Sequence, residues 1–250
     1  MRWYGLLFMS GFVLGYILLK QVWIKEGKEV QVLDDLAVYM GLGTVLGARL
    51  GHCLFYEPVY YLSHPLDILK VWEGGLASHG AAITIPVALW LFVRKHPTFG
   101  FWWIMDRVVV VVALAGGLIR LGNLMNSEIV GQPTDLPWAF VFARLGEDFG
   151  RHPTQIYEAA FYFLSFGILY SLYTKGRAGQ KPGFLLGMFL VLVFGFRFLI
   201  EFLKANQVAF EYHMTINMGQ WLSIPLVVGG ILLLMGLIPG QKGAKDHRQA

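Results

Sequence analysis

The polar residues best suited to chemistry follow an apolar run in the middle of the chain. Residues 108–119 are apolar or glycine, and Arg120, Asn123, Asn126 and Glu128 come directly after them. A charged side chain at the end of a lipid-spanning helix is costly to insert and is usually functional. An arginine followed three positions later by an asparagine, and then by a glutamate, places donors and an acceptor near one helix face. This arrangement suits a phosphate anion held by a guanidinium fork.

A second arginine, Arg49, lies inside another apolar segment. Gly43, Gly47 and Gly51 recur around it at four-residue spacing, with Gly41 just before them. Small residues at this spacing let two membrane helices approach closely, which predicts a packed interior position for Arg49. A functional arginine and a structural one, ion-paired or reaching toward the interface, both fit this pattern.

His79 is placed by its sequence context at the mouth of the third apolar segment. Glycines precede and follow it at 74, 75 and 80, and Ser78 is its neighbour. A histidine titrates near neutral pH and can act as a base, although a lone histidine also fits a structural role. Ser78 and His79 point about 100° apart on a helix, so they do not form a nucleophile–base pair unless the helix breaks there.

Two further charged groups lie in or at apolar segments. Arg197 and Glu201 are four residues apart in a phenylalanine-rich run, so they share a helix face and are expected to pair. Such a pair can simply neutralise itself so that the span inserts, but its cost favours a polar cavity. The segment 151–158 carries Arg151 and Glu158 among other polar residues where the fifth span begins.

Composition identifies the elements that must position these groups. With 56% hydrophobic and 14% charged residues, the chain is neither a soluble globular domain nor disordered. We expect an all-α polytopic membrane protein, whose first span is retained rather than cleaved as a signal peptide. The single cysteine, Cys53, is expected to be a buried apolar residue. No residues have metal-ligand spacing, and nothing indicates a phosphate-binding glycine loop or nucleic-acid binding.

About seven spans of roughly 20 residues are predicted. The loops after the first, third, fifth and seventh spans contain eleven of the twenty lysines and arginines. The positive-inside rule therefore predicts an external N-terminus and a cytoplasmic C-terminus. The predicted spans are residues 4–20, 34–56, 76–94, 101–120, 155–174, 183–203 and 221–239, and the basic loop residues are Lys20, Lys25, Lys28, Arg94, Lys95, Lys175, Arg177, Lys181, Lys242, Lys245 and Arg248.

The longest polar insertion separates spans four and five. Residues 121–154 contain prolines, glycines, aspartates and a tryptophan, which indicate a turn-rich, structured element. The predicted topology places this segment outside the membrane, as a small external cap. No repeats or low-complexity tracts divide the chain, so we predict one integral membrane domain, residues 1–250, that includes this cap.

These motifs resemble the prolipoprotein diacylglyceryl transferase family nearly from end to end. The block from Gly117 to Gly131 is similar to the signature of that family and is highly specific. The other matching segments are residues 2–6, 47–51, 74–80 and 151–158, together with Arg197, Phe198 and Glu201. The family often has tyrosine where this chain has Val193, and the chain begins at its first span without the short leader of many members.

The resemblance implies a bacterial inner-membrane enzyme with seven spans, an external N-terminus and a cytoplasmic C-terminus. Such an enzyme transfers the sn-1,2-diacylglyceryl group of phosphatidylglycerol to the lipobox cysteine in the signal peptide of a preprolipoprotein, and it releases glycerol-1-phosphate. No metal or cofactor is implied. The residues carried over by position are Tyr4, His79, Arg120, Asn123, Glu128, Gly131, Arg197 and Glu201. Of these, we expect His79, Arg120 and Arg197 to be catalytic and the other five to bind substrate, and we add Arg49 as a further substrate-binding candidate.

Simple chemistry agrees with that reaction. The nucleophile is the thiol of the substrate, so the enzyme needs none of its own. Arg120 and Arg197 are natural clamps for the departing phosphate, while His79 either accepts the thiol proton or orients the headgroup. The alternative from another class is an anion transporter or channel, which requires a pathway open to both faces. An intramembrane hydrolase is a third reading, but the sequence offers it no credible nucleophile.

Overall fold

The helical character of the chain dominates the structure. The computed structural model describes residues 3–71, 78–176, 181–206 and 214–238, apart from the side chains of residues 78, 79 and 82. Within these residues, six helices are long and apolar enough to cross a membrane. The sheet found among them has two short strands. The prediction of an all-α polytopic membrane protein is therefore confirmed.

The helices follow the predicted spans closely, because backbone in a bilayer must satisfy its own hydrogen bonds. In chain order they are α1 (Trp3–Lys25), α2 (Val30–Phe55), α3 (Pro58–Ser63), a 3-10 turn (Pro65–Leu69), α4 (Ser78–Lys95), α5 (Phe101–Asn126), α6 (Thr154–Thr174), α7 (Phe184–Phe189), a π-helical turn (Leu190–Phe194), α8 (Gly195–Ile200), a 3-10 turn (Glu201–Leu203) and α9 (Met218–Met235). The segment from α7 through Leu203 counts as one span.

One predicted span, residues 76–94, coincides with α4, which is not among the six. Its 18 residues begin with Ser78 and His79 and end with Arg94 and Lys95. These polar ends make the helix less apolar than the other spans. The total of seven spans, and the external N-terminus with a cytoplasmic C-terminus, stay predictions.

The chain forms two compact units, which are described separately. In the unit Lys20–Ile104, α2 packs tightly against α4. The hydroxyl of Thr84 donates to the carbonyl of Gly43 at 2.6 Å, and a Cβ at Gly47 would collide with the same Thr84 side chain. The predicted close approach of helices at these glycines is confirmed, whereas Gly41 faces open space.

In the unit Met1–Leu19 with Met105–Ala250, a buried carboxylate orders the start of α7. Asp106 of α5 is fully buried and accepts the backbone N–H of Gly183 at 2.8 Å and of Leu186 at 2.9 Å. Gly183 adopts the left-handed conformation, with φ +80°, that glycine enters without strain. The side chain of Asp106 thus satisfies donors that a helix N-terminus leaves free.

The segment after α5 forms the predicted cap. Helix α5 continues through Asn126, so the non-helical insertion is shorter than the predicted 121–154. Strands β1 (Phe140–Val141) and β2 (Gly150–Arg151) pair antiparallel within it. The position of this cap outside the membrane, and the single domain spanning 1–250, stay predictions.

Candidate functional site

The site is built around Arg120, in the last two turns of α5. Its side chain is 13% exposed, and its Nε lies 3.5 Å from Oε2 of Glu158, which is buried in α6. A terminal nitrogen donates to the Asn123 side-chain oxygen over a long 3.4 Å. Tyr162 of α6 also interacts with the guanidinium. Arg120 is therefore held by several partners, and its distances to Glu158 and Asn123 are at the long end of the range for hydrogen bonds.

Lys204, just beyond the span that ends at Leu203, joins two carboxylates. Its ammonium donates to Oε1 of Glu158 at 3.0 Å and to Oε1 of Glu201 at 2.9 Å. The side chains of Lys204 and Glu158 are both only 2% exposed. A buried charge is tolerated only when it is paired in this way, so these three residues depend on one another.

The far end of the network is Arg197. Its Nε lies 3.7 Å from Oε1 of Glu201, so the expected pairing of these two residues is confirmed. The other oxygen of Glu201 accepts from the amide of Asn217 at 3.1 Å, and Glu201 is buried while Arg197 remains one-third exposed. The ion chain, defined as Arg120–Glu158–Lys204–Glu201–Arg197, alternates in charge and carries three cations against two carboxylates.

A tight loop holds Glu128 beside the start of the ion chain. Oε2 of Glu128 accepts from the amide of Asn123 at 3.0 Å, and Oε1 accepts from that of Asn126 at 3.0 Å. Ser127 and Ile129, on either side, both have positive φ, at 56° and 57°. Non-glycine residues rarely adopt this conformation, and it often marks functional sites. The predicted cluster of Arg120, Asn123, Asn126 and Glu128 is thus brought together.

Helix α6 fixes this loop through buried side chains. Gln155 donates to the carbonyl of Glu128 at 2.7 Å, and Thr154 donates to the carbonyl of Ile129 at 3.0 Å. Both side chains are fully buried at the start of α6. Their hydrogen bonds hold the left-handed backbone in place, so the position of Glu128 is set by α6 as well as by α5.

Gly131 is a point of close contact between backbones. Its N–H donates to the carbonyl of His152 at 3.1 Å, and it bridges to Lys204 in an antiparallel pair. A Cβ at this position would lie 2.5 Å from Cβ of His152 and 3.0 Å from the carbonyl oxygen of Leu203. Only glycine fits at position 131. Its small size lets the cap contact the chain at Leu203 and Lys204, where the 3-10 turn Glu201–Leu203 ends.

Tyr4 of α1 approaches the same cluster. Its ring rests on Gly122, where an added Cβ would lie 2.9 Å from the ring, and it is half-buried. The charges of Glu128 and Arg120 both act on its hydroxyl. Tyr4 therefore adds a phenolic group to the same face of the unit as Arg120.

Arg49 belongs to the other unit, where its guanidinium is well satisfied. Its Nε donates to the carbonyl of Ile68 at 3.0 Å, and a terminal nitrogen donates to that of Asp67 at 2.6 Å. The guanidinium also lies 5.1 Å from the ring centre of Tyr61. These contacts fasten the segment after α3 to α2. Binding of substrate by Arg49 stays a prediction.

His79 is the second residue of α4, and its side chain lies outside the described part of the structure. Its role stays a prediction.

Val193, at a position where the family described above often has tyrosine, is buried within the π-helical turn that precedes Arg197. π-helical turns inside α-helices are frequent at functional sites. Cys53 is buried, as expected.

Sequence reasoning did not name Lys204, Asn217 or Gln155 as site residues, and it noted Glu158 only as part of a motif. Lys204 carried a visible signal, because it follows Glu201 by three residues at the end of an apolar span. Asn217 carried none, since it contacts Glu201 only through the fold. Among the described residues, no group of three or more His, Cys, Asp or Glu side chains could hold a metal ion.

Comparisons with known proteins agree with these motifs. A family model described as prolipoprotein diacylglyceryl transferase matches residues 1–236. A protein of Tolumonas auensis named phosphatidylglycerol–prolipoprotein diacylglyceryl transferase is 52% identical over 94% of this chain and 90% of its own length. A protein of the same name from Chloroherpeton thalassium is 49% identical over 93% of this chain and 87% of its own. One from Cupriavidus pinatubonensis is 37% identical over 99% and 91%.

Proposed function

Because the chain belongs to the prolipoprotein diacylglyceryl transferase family, we propose that it transfers the sn-1,2-diacylglyceryl group of phosphatidylglycerol to the lipobox cysteine of preprolipoproteins. The cysteine thiolate forms a carbon–sulfur bond with the sn-3 carbon of the diacylglyceryl group. The bond from that carbon to the phosphate oxygen breaks, its electron pair leaves with the oxygen, and glycerol-1-phosphate departs. The observation that carries the proposal is the match of the family over residues 1–236. The buried charged residues around Arg120 support it.

The main chemical demand is to stabilise charge on the departing phosphate. Arg120 and Arg197 end the ion chain, and their distances to carboxylate partners, 3.5 Å and 3.7 Å, are longer than those of tight ion pairs. A guanidinium that is oriented but not fully paired can turn its donors toward phosphate oxygens. Fixed cations around a leaving group lower the barrier because they need not reorganise during the reaction.

The residues around Arg120 are assigned to headgroup binding. Asn123 and Glu128 are hydrogen-bonded to each other, and Tyr4 lies close to both charges of this cluster. A carboxylate and a phenol are suited to the hydroxyls of the glycerol headgroup, which donate and accept hydrogen bonds. Gly131 keeps the loop in place, and Glu201 acts through Arg197 because its own oxygens are occupied.

The thiol must lose its proton before it attacks, and His79 is the residue assigned to this step. Glutamine keeps hydrogen-bonding capacity but cannot act as a base near neutral pH. If His79 is the base, His79→Gln should lose the chemical step and still bind phosphatidylglycerol. If His79 orients the headgroup, the same variant should lose lipid binding in proportion to activity. Normal turnover would remove His79 from the mechanism.

The direct test uses purified protein, phosphatidylglycerol and a lipobox peptide, with the product identified by mass spectrometry. The expected product is the peptide carrying a thioether-linked diacylglyceryl group, accompanied by glycerol-1-phosphate. A peptide with serine in place of the lipobox cysteine is the matched control and should remain unmodified. Absence of the thioether with folded protein would contradict the proposal.

The protein is a multi-pass membrane protein, and we assign it to the bacterial inner membrane with the cap on the outer side. The loop charges support an external N-terminus. Cys53 is buried, so single cysteines introduced at Asp135 in the cap and at Lys175 after α6 can be labelled selectively. An impermeant reagent added to cells should label Asp135→Cys and spare Lys175→Cys. Labelling of both positions from outside would overturn the orientation.

A further inference from the structure

Lys204 is the buried centre of the ion chain. Its ammonium contacts Glu158 at 3.0 Å and Glu201 at 2.9 Å, and the residue is only 3% exposed. A residue this buried leaves almost no surface that a phosphate headgroup could touch. Any effect of Lys204 on the reaction therefore passes through the two glutamates.

Each of these glutamates also faces one of the two arginines assigned to the phosphate. Glu158 lies 3.5 Å from Arg120, and Glu201 lies 3.7 Å from Arg197. Both contacts with the lysine are shorter than both contacts with the arginines. In a medium of low dielectric constant, a carboxylate is drawn strongly to whatever cation remains near it. Lys204 thus competes with both arginines for the same negative charge.

We propose that Lys204 is a positioning residue that holds Glu158 and Glu201 so that Arg120 and Arg197 stay available to the phosphate. This inference rests on the proposed function. Without the lysine charge, three cations and two carboxylates become two and two, and each glutamate closes on its own arginine. The ion chain then has no net positive charge with which to attract an anionic headgroup, and the guanidinium groups of Arg120 and Arg197 are both occupied by carboxylates.

The backbone of Lys204 has a separate structural role that a test must distinguish. It pairs with Gly131, and the neighbouring Ala205 N–H donates to the carbonyl of Val130 at 3.1 Å. Substitution of the side chain keeps these backbone bonds. Methionine is a suitable replacement because it has a similar length and no charge.

The experiment compares Lys204→Met with the double variant Lys204→Met/Glu158→Gln, which restores the net charge of +1. At saturating lipobox peptide, Lys204→Met should raise the KM for phosphatidylglycerol roughly tenfold or more, the loss expected for one charge-assisted contact. The double variant should recover most of that loss. A double variant no better than the single one, with both folded, would overturn the proposal, as would an unchanged KM in Lys204→Met.

Two controls separate folding and the wider function from this inference. Lys175→Met, at an exposed lysine after α6, should leave the KM unchanged. If Lys204→Met does not fold, Glu158→Gln alone decides the matter. It frees Arg120 from its carboxylate and should lower the KM for phosphatidylglycerol by about threefold, whereas a raised or unchanged KM would overturn the proposal. If wild-type protein forms no thioether, it is the proposed function that fails.

Discussion

Two arginines that look alike in the sequence, Arg49 and Arg120, have different surroundings in the structure. Both follow glycine-containing apolar runs, and both are largely shielded from solvent. Arg49 donates to two backbone carbonyls at 3.0 Å and 2.6 Å and lies over the ring of Tyr61. Arg120 contacts the side chains of Asn123 and Glu158 at 3.4 Å and 3.5 Å.

The kind of partner distinguishes the two arginines. Backbone carbonyls are fixed by the helices and turns that carry them, so leaving them costs the full penalty of breaking buried hydrogen bonds. Side-chain carboxylates and amides can rotate, and those beside Arg120 also have other partners. Glu158 accepts from Lys204, and Asn123 donates to Glu128. An incoming phosphate can therefore be accommodated at Arg120 by small rearrangements of side chains, whereas at Arg49 it would have to displace backbone.

The largest expected effect is on Arg120. Arg120→Lys should reduce transfer about 100-fold or more while the protein still folds, because an ammonium cannot present two parallel donors to phosphate. Single-turnover transfer, measured beside a thermal unfolding curve, checks both parts. Near-wild-type turnover in the lysine variant would contradict this prediction, because it would show that a positive charge at position 120 is sufficient without the two parallel donors of a guanidinium.

Gly131→Ala tests the loop on which the partners of Arg120 depend. The added Cβ would strike the backbone of His152 and approach the carbonyl oxygen of Leu203, neither of which can move alone. We expect transfer to fall roughly tenfold or more, since overpacking at backbone contacts commonly costs 1–3 kcal/mol or more. Gly146→Ala, in an open cap turn with φ +73°, is a control for backbone strain without a clash and should affect transfer much less.

Arg49→Lys sharpens the other side of the comparison. The lysine cannot reproduce both hydrogen bonds to the carbonyls of Asp67 and Ile68, so stability should fall by about 1–3 kcal/mol. Transfer per folded molecule should stay within about threefold of the wild type. The reason is that a loss of folding stability lowers the fraction of folded protein and leaves the turnover of each folded molecule unchanged. A raised KM for phosphatidylglycerol would instead support the candidate role of Arg49 in substrate binding.

The smallest effect is expected at the partly buried pair of Glu147 and Arg151 in the cap. Two hydrogen bonds from Arg151, each 2.5 Å, hold the pKa of Glu147 below its ordinary value of 4.5. The stability from this pair is therefore present above about pH 4.5 and is lost as the pH falls below it. Hydrogen exchange of backbone amides in the cap should show a small loss of protection at pH values below about 4.5. Glu147→Gln should remove that pH dependence and leave transfer at neutral pH intact.

Much of the fold was predictable because a bilayer permits few alternatives. An apolar run of about 20 residues must form a helix to satisfy its backbone, so the positions and lengths of the apolar runs were enough to place the helices approximately. Their ends were less predictable. Helix α9 begins at Met218 because Asn217 and Gln220 form a capping box, whereas the predicted span began at residue 221.

Local spacing also determined part of the site. Arg197 and Glu201 share a helix face whatever surrounds them, and Asn123 and Glu128 are close enough in sequence to meet around one loop. Charged residues in apolar segments identified Arg120 as a candidate before any fold was known. The sequence by itself therefore determined the class of protein and the approximate positions of the long helices, and it predicted which residues are candidates for binding an anion.

Only the tertiary structure decided which of these charges meet. Glu158 comes from α6 and Asn217 from the start of α9. Packing alone brings Glu158 to Arg120 and Lys204, and Asn217 to Glu201. The tertiary structure likewise brings the guanidinium of Arg49 to the backbone carbonyls of Asp67 and Ile68, nearly twenty residues further along the chain. The physical reason is that pairing between separate helices depends on their relative rotation and depth, which side-chain spacing along one helix does not encode.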